Sequence, residues 1–113
     1  MEVQREIVVP APAGEVWAAL TEPERLQEWF ANEVELELEP GGGGTFRWGD
    51  GEERRALVQE VVPERRFVFT WDESRVEIEL TEVEAGTRVL VVETAGAGWA
   101  TALSLHAAAL AYV

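Results

Sequence analysis

The sequence predicts an α+β fold: seven antiparallel strands in a curved sheet, two short helices after strand one, and a long C-terminal helix packed on one side. Three observations carry that expectation. β-branched and aromatic residues alternate with acids and arginines over much of residues 3–94, short turn signals divide this pattern, and after Gly98 the apolar period changes from two to that of a helix.

Strand one is Val3-Gln4-Arg5-Glu6-Ile7-Val8-Val9, which stops at Pro10-Ala11-Pro12 because proline cannot continue a ladder. Pro12 suits a first helical turn, and Val16, Trp17 and Leu20 follow at helical spacing. Thr21-Glu22-Pro23-Glu24 reads as a capping box for a second helix, whose buried stripe is Leu26, Trp29 and Phe30. From Glu33 to Glu39 the alternation is strict, with Val34, Leu36 and Leu38 on one face and four glutamates on the other. Gly41 to Gly44 turns the chain into Thr45-Phe46-Arg47-Trp48, and Gly49-Asp50-Gly51 signals a hairpin into residues 53–62. Pro63-Glu64 precedes Phe67 to Trp71, Asp72-Glu73-Ser74 leads tightly to Val76, Ile78 and Leu80, and Ala85-Gly86 turns into Thr87 to Thr94. Trp99, Leu103, His106 and Leu110 then share one face of an Ala-rich helix.

At 113 residues the expectation is a single domain over residues 1–113, with one core that buries roughly 65% of the unfolded chain's surface. Twenty-two acids against nine arginines give a formal charge of -13, which repels phosphate backbones and anionic membranes, so neither nucleic acid nor membrane insertion is expected. The first residues show no basic leader followed by an apolar stretch, so the expected location is the cytoplasm. The chain has no cysteine, which removes disulfides and thiolate chemistry.

The inventory of reactive groups is thin. A zinc site would need carboxylates for nearly every ligand, since His106 is the sole histidine, and neither a metal nor another cofactor is expected. Ser104 and His106 lie two apart on one helix and cannot face each other as a triad requires, while Ser74 sits in a hairpin. With so many acids, carboxylate pairs are unavoidable and most belong to solvated strand faces. The glycine run lacks the Lys and Ser/Thr of a phosphate loop and precedes a strand, so it reads as a turn. Arg5 and Arg47 lie in strands whose neighbours face the core, and each is either a surface pair or a ligand anchor. The aromatics say more: Trp17, Trp29, Phe30, Phe46, Trp48, Phe67, Phe69, Trp71 and Trp99 each bring about 150–250 Å² to bury. Most must be core, yet a sheet curved around a helix is also a natural wall for an apolar cavity.

Ile7-Val8-Val9-Pro10-Ala11-Pro12 with Val16-Trp17, then Leu20-Thr21-Glu22-Pro23-Glu24-Arg25-Leu26 and Trp29-Phe30, resembles the opening of START-like proteins of the SRPBCC superfamily. Within it the sequence is most similar to the group named after the activator of the ninety-kilodalton heat-shock protein's ATPase. Pro40-Gly41-Gly42, the run Val61 to Trp71, Gly86-Thr87-Arg88-Val89 and Gly98-Trp99 extend the match over essentially the whole chain. These motifs mark corners, turns and core, so they specify fold better than chemistry.

The resemblance implies a helix-grip fold with a cavity between sheet and terminal helix. Only Ala95-Gly96-Ala97-Gly98 joins the last strand to that helix, where a longer lid-bearing stretch is usual, which implies an open or small pocket. His106 stands where an aliphatic residue is expected and brings a titratable group to the cavity. The first functional expectation is a module that binds a lipid- or polyketide-like molecule through Arg47, Trp48, Phe69, Trp71, Trp99, Leu103 and His106, with Arg47 as polar anchor. The second is a co-chaperone-like or regulatory domain, whose acidic surface favours a basic protein partner. The third is a cyclase or hydratase using His106. The expected assembly is a monomer or homodimer.

Overall fold

The computed structural model describes residues 2–94. They form β1 (Val3–Val9), α1 (Ala13–Thr21), α2 (Pro23–Trp29), β2 (Glu33–Leu36), β3 (Gly43–Arg47), β4 (Glu53–Val62), β5 (Arg66–Trp71), β6 (Ser74–Val83) and β7 (Gly86–Glu93). The strands make one antiparallel sheet in the order β1-β7-β6-β5-β4-β3-β2. Strands β2 to β7 are therefore a meander, with β1 added beside the last of them. Seven strands and two helices agree with the predicted α+β class. The long C-terminal helix, with Trp99, Leu103 and His106 and the Ala95–Gly98 stretch before it, lies outside the described residues.

The two-helix corner forms as expected, but its capping differs. Thr21 ends α1 and its hydroxyl donates to the Trp17 carbonyl at 2.7 Å, so it caps nothing downstream. Glu22 is the N-cap of α2, with no side-chain bond, and its extended backbone (φ -80°, ψ 126°) is what a following proline enforces. Pro12 likewise precedes α1 as its N-cap and is not its first helical residue. Strand β2 ends at Leu36, earlier than the alternation predicts, because the chain turns at Glu39, whose carbonyl accepts from the Gly42 amide at 2.8 Å. Gly43 and Gly44 thereby join β3.

One face of the sheet carries the core. Phe46, Val58, Phe67, Phe69, Trp71, Val76, Ile78, Val89 and Val91 are at most 2% exposed, and Val16, Leu20 and Leu26 from the helices are sealed against them. The period of two in β5, β6 and β7 sends every second side chain here. Trp29 docks α2 onto α1 by donating its indole N–H to the Ala19 carbonyl at 2.9 Å, so its polar edge is buried with a partner. The register slips between Val58 and Glu60, a bulge that bends β4 and adds to the curvature. At the far edge Gly86 (φ 139°) passes so close to β1 that a Cβ there would stand 2.1 Å from the Val9 carbonyl.

Candidate functional site

Register defines what the inner face presents. Phe69 pairs with Val76 and Val76 with Glu93, forming one row across β5, β6 and β7. The next row runs through Gly44, Ala56, Trp71 and Ser74, and two residues further along β3 and β4 Phe46 pairs with Arg54. The rows thus run from an aromatic centre to a polar end.

The centre is a continuous stack of rings. Phe67 and Phe69 lie 4.8 Å apart, Trp71 meets Phe69 at 6.2 Å and Phe46 at 5.8 Å, and Phe30 from the end of α2 stacks on Trp71 at 5.9 Å. Trp48 closes the group, 5.6 Å from Phe30 and 6.3 Å from Trp71, and its indole donates to the Phe30 carbonyl at 2.8 Å. Edge-to-face and offset contacts at these distances are the favoured geometries of aromatic pairs.

Of the residues predicted to line a pocket, Trp48, Phe69 and Trp71 are brought together here. Phe69 is fully buried and Trp71 nearly so, while Trp48 is half-buried. Arg47 is corrected. It follows Phe46 in β3 and so points to the opposite face, where it bonds Glu53 at 2.7 Å and reaches Glu33 at 3.4 Å. Those contacts raise the Arg47 pKa, and the Arg47 hydrogen bond holds Glu53 below the usual carboxylate range. Arg47 is a surface pair, and no polar anchor for the inner face. Trp99, Leu103 and His106 lie outside the described residues.

Three polar residues that the sequence reading left out share the inner face. Glu93, at the end of β7, is fully buried beside Val76, and Ser74 is 3% exposed at the start of β6. Arg54 lies over the Trp71 ring at 4.5 Å and pairs with Glu52 at 3.6 Å and Asp72 at 3.7 Å. A depression of about 430 Å³, lined by Arg54, Trp71, Asp72, Glu73 and Ser74, opens there. The signal for all three was parity: Glu93 continues Val89 and Val91, Ser74 precedes Val76 and Ile78, and Arg54 faces Phe46 across the hairpin.

The opposite face is ionic. Arg66 reaches Glu60 at 3.0 Å, Glu77 at 2.6 Å and Glu79 at 2.5 Å, and Arg88 reaches Glu6 at 2.9 Å. Hydrogen bonding to Arg66 lowers the Glu77 pKa below its ordinary value, and hydrogen bonding to Glu60 leads the rise in that of Arg66. Among the described residues no group of three or more His, Asp or Glu is arranged to hold a metal, and no helix is long and apolar enough to cross a membrane.

Comparison with known structures places this geometry. A protein from Mesorhizobium loti, MLL2253, superposes with a TM-score of 0.89 at 21% identity, covering 100% of this chain and 98% of its own. The Aha1 dimer from Colwellia psychrerythraea gives 0.83 at 18% identity, over 97% and 96%. DynU16, a protein in the dynemicin biosynthetic locus, gives 0.80 at 28% identity, covering 98% of this chain, which spans 46% of DynU16. No curated protein matches the sequence. The family model for activator of Hsp90 ATPase homolog 1-like protein matches residues 10–110, which is nearly the whole chain. With the seven-stranded sheet and its two-helix corner, that match makes this chain a member of the activator of Hsp90 ATPase homolog 1-like family.

Proposed function

We propose that the chain binds an apolar small molecule of lipid or polyketide-like character on the inner face of its sheet, toward the end where Arg54, Ser74 and Glu93 interrupt the apolar surface. The observation that carries this reading is that three polar side chains, Arg54, Ser74 and Glu93, lie toward one end of a largely aliphatic and aromatic face. A small number of polar groups converging on an apolar wall is the usual build of a small-molecule site. Phe69 and Trp71 serve as the packed floor, and Trp48 as a side wall. Trp99, Leu103 and His106 are the further residues that the sequence assigns to the binding site.

A panel of lipids and aromatic polyketides tests the reading by thermal shift and native mass spectrometry. A ligand at a hundredfold excess over its Kd stabilises the fold by about 2.7 kcal/mol, a rise of several degrees. A panel that moves no melting temperature and leaves no retained mass overturns it.

The charge of -13 favours a second reading, in which the acidic surface docks a basic protein segment in a co-chaperone-like or regulatory role. Its association rate falls steeply with ionic strength. A pulldown that returns no reproducible basic partner at low salt removes this reading.

A further inference from the structure

We infer that Arg54 is the polar anchor of the inner-face site and that it selects a neutral ligand bearing a hydrogen-bond-accepting oxygen, such as a ketone or quinone carbonyl, over a carboxylate or a cation. This rests on the small-molecule reading above and adds the chemistry of the ligand's polar end.

Among the described arginines of the sheet, Arg5, Arg55 and Arg75 are exposed, the last two paired with Glu53 at 3.6 Å and Glu77 at 3.3 Å, and Arg54 alone lies over an aromatic ring. Arg47, Arg66 and Arg88 each hold a carboxylate at 2.9 Å or closer, the range of charge-assisted hydrogen bonds. Among the described residues Arg54 has two ion pairs at 3.6 and 3.7 Å and the contact with Trp71, and no closer polar contact. Glu52 and Asp72 are about half exposed, so water competes for both pairs and they hold the guanidinium weakly. Trp71 is what positions it: the guanidinium lies on a ring that is itself fixed by Phe30, Phe46 and Phe69. The result is a pre-oriented fork of N–H donors at the edge of a depression of about 430 Å³, with buried Ser74 in its lining.

Charge decides which acceptor it takes. A ligand carboxylate drawn to Arg54 also meets Glu52 and Asp72 within a few ångströms of the same guanidinium, with Glu73 on the rim. One attraction and at least two repulsions of similar range nearly cancel, and the carboxylate still loses its hydration. A ligand cation would compete with Arg54 for the face of Trp71. A neutral carbonyl keeps the hydrogen bond to a charged donor and meets neither cost.

The test compares three probes of similar shape by equilibrium dialysis: 2-acetylnaphthalene, 2-ethylnaphthalene and 2-naphthoate. The ketone is expected to bind roughly tenfold more tightly than the hydrocarbon, as a bond to a charged donor provides, and more tightly than the carboxylate. In Arg54→Met, which keeps an apolar stem over Trp71, the ketone preference falls to near unity while hydrocarbon affinity is retained. A wild-type protein that binds hydrocarbon and ketone equally, or the carboxylate best, overturns the anchor role and leaves the apolar site standing. An Arg54→Met protein that keeps the ketone preference also overturns it. If neither neutral probe binds, both this inference and the reading beneath it fail. The wild-type ratios need no variant, so a misfolded Arg54→Met protein does not spare the proposal.

Discussion

The two faces of the sheet are made by the same strands and differ in almost everything else. Phe67, Ile78 and Val89 point inward and are sealed from water, while their chain neighbours Arg66, Glu77 and Arg88 point outward into ion pairs. Burying a large apolar side chain is worth about 1.5–3 kcal/mol, and an exposed ion pair about 0–1 kcal/mol. The inner face therefore holds the fold together, and the outer face is free to carry the charge of -13 at little cost. Several residues depart from this division: Val68 is buried on the outer face, Val8, Leu57 and Val62 are exposed there, Thr87 is buried on the inner face, and Arg54, Ser74 and Glu93 lie together toward one end of the inner face. Departures from an otherwise consistent pattern are where functional sites are to be sought.

Substitutions can break this contrast. Phe67→Ala on the inner face should cost about 3–5 kcal/mol, because a fully buried ring between Phe69 and Trp17 leaves a cavity that the sheet cannot close. Urea unfolding checks this, and a loss below about 1 kcal/mol would mean that the aromatic stack is loosely packed. Gly86→Ala should cost about 2 kcal/mol or more by the same measurement, since the new Cβ meets the Val9 carbonyl in a backbone conformation that disfavours any side chain. Thr87→Val should cost about 1–2 kcal/mol, because the buried Thr87 hydroxyl donates to the Ala11 carbonyl at 2.8 Å and valine leaves that acceptor unmet.

The outer face supplies the smallest effect and the clearest pH signature. Glu77→Gln should cost no more than about 1 kcal/mol at neutral pH. Arg66 holds the Glu77 carboxyl below its ordinary value of 4.5, so its contribution is complete above that value and disappears as pH falls through the lowered folded-state value. The stability profiles of wild type and variant should therefore converge toward acid and separate toward neutrality. A difference that stays constant across that range would show that the pair with Arg66 does not carry the effect.

Much of this was legible in the sequence, and the failures have physical causes. Strand β1 was predicted at Val3–Val9 and found there, since alternation and a proline stop are both local signals. The capping box at Thr21 failed because Thr21 is still the last residue of α1, its hydroxyl donating to the Trp17 carbonyl one turn back, and Glu22 takes the N-cap position of α2. Arg47 was misassigned because its neighbours in sequence are aromatic, whereas the pleat sends it opposite to Phe46. Arg54 escaped notice because its place depends on the β3–β4 register, in which Arg47 faces Glu53 and Phe46 faces Arg54. Glu93 and Ser74 obey the parity of their strands, yet Ser74 reads from sequence as part of the tight connection after Asp72, and Glu93 as one more residue of the strand Thr87 to Thr94.

The order of the strands also constrains how the chain reaches this shape. Each of β2 to β7 pairs with its neighbour in sequence, so those ladders close short loops. Strand β1 has its partner at the other end of the chain, and the hydrogen bond from Thr87 to Ala11 spans 76 residues. During synthesis the strand made first must wait unpaired until the seventh has been made, with Ile7 and Val9 exposed meanwhile. Gln4, Arg5 and Glu6 precede the apolar run Ile7-Val8-Val9 and Pro10 closes it, which limits the reach of a strand without its mate toward other chains.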